Sequence, residues 1–256
     1  MSSLHEYFGF IVPDLALLQE KAPLFVGLEC EVESILGHSD ISDEFVVHSD
    51  GSLRNNGLEF VTPPVTVEDA LGLFKNLHQN LQIRNVSEEF SPRTSIHVHV
   101  NMSNLDKDTV RNIILMYALF EEFFFRMTLP ERRENIHCVP LTETHLPSMY
   151  QNSLDVLISK WHKYTALNLK PLKTQGTLEF RHMHGHADDV LLQQWLTLIQ
   201  KLVEVGGKTN LTEQNLNKVN IDVWFKQLFS HTDLTSLSPF AGDIAYNSIL
   251  DLKLAV

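Results

Sequence analysis

The chain has 256 residues, of which 43% are hydrophobic and 20% charged, and its formal net charge at pH 7 is −12. This composition is typical of a globular protein with a complete hydrophobic core, and the acidic excess argues against a broad nucleic-acid-binding surface. The chain has only two cysteines, so we expect no disulfide framework. It has no run of about 18 apolar residues, so we expect no membrane span. Residues 1–20 show no secretory pattern, and we therefore expect a cytoplasmic location.

The first strongly patterned segment is Phe25–Glu33, which predicts a β-strand because its side chains alternate in polarity with period two. One face is apolar and the other acidic, with Leu28, Cys30 and Val32 opposite Glu29, Glu31 and Glu33. Three like charges on one strand face repel each other unless a cation lies among them. A divalent cation site and a solvated, exposed face both remain open for this segment alone.

The rest of the chain alternates further strands with helices. We predict strands at Glu44–His48, Leu58–Thr62, Thr94–Met102 and Gly176–Met183. We predict helices at Pro13–Leu18, from Thr66 through Leu81, from Asp106 to about Thr128, at Leu154–Tyr164 and at Ala187–Val205, with Gly206-Gly207 ending the last of these. Residues 130–150 read as a long loop. We expect a single domain, with a core of about 24–206 and a helical extension at 207–256.

Polar side chains recur on one face of four predicted strands. These are Glu29 and Glu31, Glu59, His97 and His99, and Glu179 and Arg181. The opposite faces are apolar, which predicts one sheet with helices on its back and a ligand-bearing front. The excess of carboxylates favours Mg²⁺ or Mn²⁺. A zinc site also remains open, since a His-x-His pair with a glutamate is a plausible zinc ligand set.

Six segments in order resemble the putative amidoligase family of the carboxylate–amine ligase superfamily, which is related to glutamine synthetase and glutamate–cysteine ligase. They are Val26–Glu33, Asp50–Leu53, Gly57–Pro64, Ser95–Val100, Lys163–Asn168 and Gly176–His182. The resemblance implies an α+β fold with a curved, mainly antiparallel sheet, a polar metal-binding face and helices on its apolar back. It also implies an ATP-dependent ligase that joins a carboxylic acid to an amine through an acyl phosphate, with two Mg²⁺ or Mn²⁺ ions.

The resemblance also implies roles for particular residues. Glu29 and Glu31 would divide between two metal sites, with Glu59 joining one, and His97 and Glu179 joining the other. Arg181 and Glu59 are the catalytic candidates, and Arg181 would meet the transferred phosphate. The candidates for phosphate, nucleotide or substrate binding are Arg181, Asn168, Tyr164, Arg132, Arg133 and His99. For Asp50, a turn-capping role is favoured at least as much as a ligand role, and Glu33 would support the metal ligands without being one of them.

Two other functions stay open at this point. One is a metal-dependent amide hydrolase that needs no ATP, and the other is a non-catalytic relative that binds a metal or nucleotide. The chain shows no glycine-rich phosphate loop, so ATP is implied by the resemblance alone. The acid and amine could be small molecules, peptides or proteins, and a homo-oligomer is left open.

Overall fold

A computed structural model describes residues 2–10, 24–35, 43–83, 86, 90–141, 152–212, 215 and 220–254. Its strands are β1 (Phe25–Val32), β2 (Val46–Ser49), β3 (Leu58–Val61), β4 (Val65–Thr66), β5 (Ser95–Asn101), β6 (Leu167–Asn168) and β7 (Thr177–His184). Its α-helices are α1 (Leu4–Phe8), α2 (Val67–Ile83), α3 (Lys107–Arg126), α4 (Leu154–Lys160), α5 (Asp189–Gly207), α6 (Ile221–Phe229) and α7 (Ala241–Leu254). Short 3₁₀ helices lie at Pro130–Arg132, Lys170–Lys173 and Asp233–Phe240.

The strands form one open antiparallel sheet in the order β2-β3-β1-β5-β7-β6, and β4 pairs with the start of β1. This arrangement confirms the predicted α+β class with a curved, mainly antiparallel sheet. The acidic strand β1 lies inside the sheet, hydrogen-bonded on one side to β3 and on the other to β5. Its glutamates therefore have a neighbouring strand on both sides.

The back of the sheet is the main hydrophobic core. The apolar side chains of the patterned strands are buried there, among them Leu28, Cys30, Phe60, Ile96, Val98, Leu178 and Phe180. Phe124 of α3 stacks on Phe180 of β7, with ring centroids 6.1 Å apart, and meets Trp195 of α5 at 5.5 Å. The predicted apolar back packed by helices is thus confirmed.

One helix boundary follows from the local sequence pattern, and another is set by packing between helices. Thr66 begins α2 as predicted: its hydroxyl accepts a hydrogen bond from the Asp69 backbone at 3.2 Å. The predicted end of α5 at Val205 is two residues early, because the helix includes both Gly206 and Gly207 and ends there. A Cβ atom on Gly206 would lie 2.9 Å from the Ile113 Cα of α3, so this glycine allows two helices to approach closely.

Some predictions fall outside the part of the chain that the structure describes. The predicted helix at Pro13–Leu18 lies there, as do residues 142–150 of the predicted long loop. Two short strands, β4 and β6, and the one-turn helix α1 were not predicted. Across the described ranges, no helix combines the length and the apolar character needed to cross a membrane.

Candidate active site

The register of the sheet brings the polar faces of four strands together. Glu31 of β1 lies directly opposite Glu59 of β3, and Glu29 lies opposite His97 of β5. Glu179 of β7 pairs with His99 of β5 on one side and with Asn168 of β6 on the other. The front face predicted from period-two alternation is therefore continuous across the centre of the sheet.

The strand β7 carries a β-bulge at this face. Between the pairs Val98–Phe180 and Ile96–Met183, β5 has the single residue His97, whereas β7 has Arg181 and His182. A bulge re-aims side chains locally and is common beside active sites. Here His182 is fully buried among the aromatic side chains behind the sheet, while Arg181 lines the cavity on the front.

The first donor group consists of Glu29, His97 and Glu179, whose ligand atoms all lie within 4.8 Å of one another. The Nδ1 atom of His97 lies 3.0 Å from Glu29 Oε2 and 3.6 Å from Glu179 Oε1. The second oxygen of Glu179 accepts a 2.6 Å hydrogen bond from Asn168 Nδ2. This hydrogen bond fixes one oxygen of the Glu179 carboxylate, so the other oxygen is oriented toward the ligand atoms of Glu29 and His97.

The second donor group consists of Glu31, Asp50 and Glu59, with ligand atoms again within 4.8 Å of one another. Asp50 comes from the turn after β2, where its Oδ1 accepts a 2.7 Å hydrogen bond from the Ser52 backbone. The turn-capping and ligand positions proposed for Asp50 are therefore compatible. Glu33 belongs to neither group: it is buried, and its Oε1 accepts a 2.9 Å hydrogen bond from the Arg54 backbone.

The electrostatics of this face are those of a site with excess negative charge. Burial and the charges of Glu29 and Glu31 raise the pKa of Glu59 to about 7. Burial alone would also raise the pKa of Glu29, but hydrogen bonds and charges from His97 and His99 outweigh it and lower that pKa. A divalent cation fits both donor groups by charge and by chemistry, with oxygen and imidazole ligands in the first group and oxygen ligands alone in the second.

A cavity of about 240 Å³ opens onto both donor groups. Besides Glu29, Glu31, Asp50, Glu59 and His97, its lining includes Ser52, Arg93, Ser95, Arg132, His137, Tyr164 and Arg181. Basic and aromatic side chains thus face the acidic sheet across one space. That combination suits an anionic substrate bound through cations.

The predicted arginines are placed differently from one another. Arg181 lines the cavity, pairs with Glu179 and donates from Nε to the His137 carbonyl at 3.0 Å. Arg132 also lines the cavity but is only 2% exposed, and its guanidinium donates to the backbone carbonyls of residues 181 and 182. The structure does not bring Arg133 to this cavity, because it pairs with Glu122 at 3.1 Å and lies over the Phe125 ring.

The remaining predicted residues surround the first donor group and the cavity. The Nε2 atom of His99 lies 3.0 Å from Glu29 Oε1, and its Nδ1 lies 3.0 Å from Thr177 Oγ1, so His99 sits behind Glu29. Tyr164 lines the cavity and packs edge-on against the His137 ring, with centroids 4.8 Å apart.

Four cavity residues were missed from the sequence: Ser52, Ser95, Arg93 and His137. Ser95 could have been found, because it lies two residues before His97 on the same strand and so on the same face. Arg93 and His137 lie in irregular segments, where no periodic signal relates them to the sheet.

Comparison with known protein families shows one match for this chain. A family model described as a putative amidoligase enzyme matches residues 20–203, which is more than half of the chain. The matched region contains both donor groups and every residue that lines the cavity. A comparison with curated proteins gives no match.

Proposed function

The chain belongs to the putative amidoligase enzyme family, whose description is that of an amide-forming ligase, and from this membership we propose an ATP-dependent carboxylate–amine ligase. In the proposed reaction, the γ-phosphoryl group of ATP passes to a carboxylate oxygen, forming an acyl phosphate and ADP. The amine nitrogen then attacks the acyl carbon, and inorganic phosphate leaves as the amide bond forms. Each step is a transfer between substrates and needs no redox partner.

One observation carries this proposal: two separate three-residue donor groups lie side by side on one sheet face and open onto one cavity. Two cations held in this way neutralise the charge that develops on a transferred phosphoryl group. Glu29, His97 and Glu179 would hold one Mg²⁺ or Mn²⁺ ion, and the other group would hold the second. The carboxylate-rich ligand sets favour these hard cations over zinc.

The other residues of the cavity supply binding and proton transfer. Arg181 is anchored through Nε and Nη1, and its Nη2 makes no hydrogen bond to the described residues, so it can donate to a phosphoryl oxygen. Burial and the Arg181 charge lower the pKa of His137. Its imidazole is therefore neutral at pH 7 and can accept a proton from the attacking amine. Tyr164, packed on that ring, would position the substrate or nucleotide.

The test is ADP release from ATP and Mg²⁺ across a panel of carboxylic acids, with hydroxylamine as a general amine to trap the acyl phosphate. We expect acid-dependent ADP formation together with a hydroxamate product. Glu179→Gln should abolish both signals. The matched control is Glu122→Gln, which changes a glutamate that pairs with Arg126 and Arg133 outside the cavity.

Different outcomes identify the alternatives. If the chain hydrolyses amides in the presence of a metal ion and without ATP, its function is that of a hydrolase and the ligase proposal is wrong. An ATP-induced thermal shift without turnover, maintained across the acid and amine panel, would favour a nucleotide-binding relative.

A further inference from the structure

The residue Ser95 connects the two donor groups directly. Its backbone N–H and its hydroxyl group each lie 2.7 Å from the same oxygen of Glu31, Oε2. The same hydroxyl oxygen lies 2.8 Å from Nε2 of His97. Ser95 is 3% exposed, and Glu31 and His97 are each 4% exposed, so water does not compete freely for these bonds. One hydroxyl group therefore touches a ligand of each proposed cation.

The hydrogens of this chain can be assigned by counting donors. An ionised carboxylate oxygen can only accept hydrogen bonds, so the single hydroxyl hydrogen of Ser95 is donated to Glu31. The hydroxyl oxygen then accepts from His97, so Nε2 of His97 carries a hydrogen. Nδ1 is then the ring nitrogen left to bind a cation, and it lies 3.0 and 3.6 Å from carboxylate oxygens of Glu29 and Glu179. When Nδ1 carries no hydrogen, this nitrogen and the two carboxylate oxygens are three ligand atoms around one position, which suits a cation.

We propose that Ser95 is a positioning residue that orients one ligand of each metal ion at the same time, so that neither site keeps its affinity without it. This inference rests on the proposed two-ion function of the face. A supporting partner of a metal ligand typically changes metal affinity 10- to 100-fold, and here one group supports a ligand in both sites. A ligand substitution, by contrast, acts first on the site to which that ligand belongs.

The experiment is a calorimetric titration of the whole chain with Mn²⁺. We expect two ions per chain for the wild type, and for Ser95→Ala a loss of about 10- to 100-fold in affinity at both sites. Ser95→Thr keeps the hydroxyl group on a β-branched residue that suits a strand and should restore both affinities. Glu59→Gln and Glu179→Gln provide the contrast, since each should weaken one site more than the other.

A matched control is Ser103→Ala. Ser103 is a serine that is 1% exposed and follows β5, but it contacts neither donor group. It should leave Mn²⁺ binding unchanged. Thermal unfolding in EDTA checks that each variant is folded before its titration is interpreted.

A second measurement needs no variant at all. In Mg²⁺-saturated wild-type protein, nitrogen-15 spectra of the histidine rings should show His97 as the Nε2–H tautomer. An Nδ1–H tautomer there would overturn the assignment of Ser95 as the acceptor, whether or not Ser95→Ala folds.

The failure of the inference and the failure of the proposed function can be told apart. If the wild type binds no Mn²⁺, the two-ion face itself is wrong. If the wild type binds two ions and folded Ser95→Ala keeps both affinities, or loses only one, Ser95 does not couple the sites although the face remains. Equal weakening by Ser95→Thr would also overturn the inference, because the hydroxyl group would then not be the cause.

Discussion

Replacing Glu59 by glutamine should stabilise the metal-free protein while removing a metal ligand. Glu59 is half-buried on β3, directly opposite Glu31, and it shares the second donor group with Asp50. Burial and the neighbouring negative charges, Glu29 and Glu31 first among them, raise its pKa from the ordinary 4.5 to about 7. Glutamine keeps the size of the side chain and removes the charge that those neighbours oppose.

The magnitude follows from the difference between the two pKa values. A change from 4.5 to about 7 corresponds to roughly 3 kcal/mol between the charged and neutral forms. Because the side chain is partly exposed, solvent screening reduces this to about 1–2 kcal/mol. The folded state binds the proton more tightly than the unfolded state, so the stability of the wild type falls as pH rises from 4.5 through about 7. The advantage of Glu59→Gln is therefore largest above pH 7 and shrinks toward pH 4.5.

Urea unfolding in EDTA at pH 8 and pH 5 measures this effect. We expect the variant to be more stable than the wild type by about 1–2 kcal/mol at pH 8 and by less at pH 5. Added Mn²⁺ should reverse the order, because the wild type gains binding free energy that the variant lacks. If Glu59→Gln is equal to or less stable than the wild type at pH 8 without metal, burial and the neighbouring carboxylates do not disfavour the charge of Glu59. Glu122→Gln, which lies outside the cavity, should show no such gain.

Three further predictions test the site and the fold. Glu179→Gln should lower ligase turnover at least 100-fold, which corresponds to a loss of about 2.7 kcal/mol of transition-state stabilisation. Its circular dichroism spectrum should stay native. Unchanged turnover would mean that Glu179 is not an active-site residue. His137→Asn should lower the rate with amine more than the amine-independent ADP release; equal losses in the two assays would argue against a proton-accepting role. Gly206→Ala should lower the free energy of unfolding, measured in urea, by about 1–2 kcal/mol. The added Cβ would lie 2.9 Å from the Ile113 Cα, and this crowding outweighs the roughly 1 kcal/mol that alanine gains in helix propensity. A stabilised variant would mean that the two helices can move apart.

The faces of the strands could be predicted from the sequence, because alternation is a local property of an extended chain. Glu29, Glu31, His97 and Glu179 follow from period two alone, and the structure places them on one face. The pairing of these strands could not be predicted from the pattern, since nothing local states which strands become neighbours. The division into two donor groups came from the family resemblance, and the metal roles of these residues remain predictions.

The parts that the sequence did not reveal depend on contacts between distant segments. Gly206 looks like a residue that follows a helix, yet it belongs to the last turn of α5, where a neighbouring helix needs the space of its missing side chain. Asp50 looks like an ordinary turn residue, and only the folded chain brings it beside Glu31 and Glu59. His137 carries no periodic signal, and its place in the cavity depends on the bond between its carbonyl and Arg181.

The position of β1 inside the sheet explains how one chain can keep two acidic groups in a fixed relation. Glu29 and Glu31 are two residues apart on a strand, so their backbones are separated by roughly 7 Å. Their carboxylates belong to different donor groups: Glu29 joins residues of β5 and β7, and Glu31 joins residues of β3 and of the turn after β2. A shift of β1 by one residue would turn both carboxylates into the apolar core, so the hydrogen-bonded strands on its two sides hold the site in register. The same register that fixes the core therefore fixes the distance between the two proposed cations.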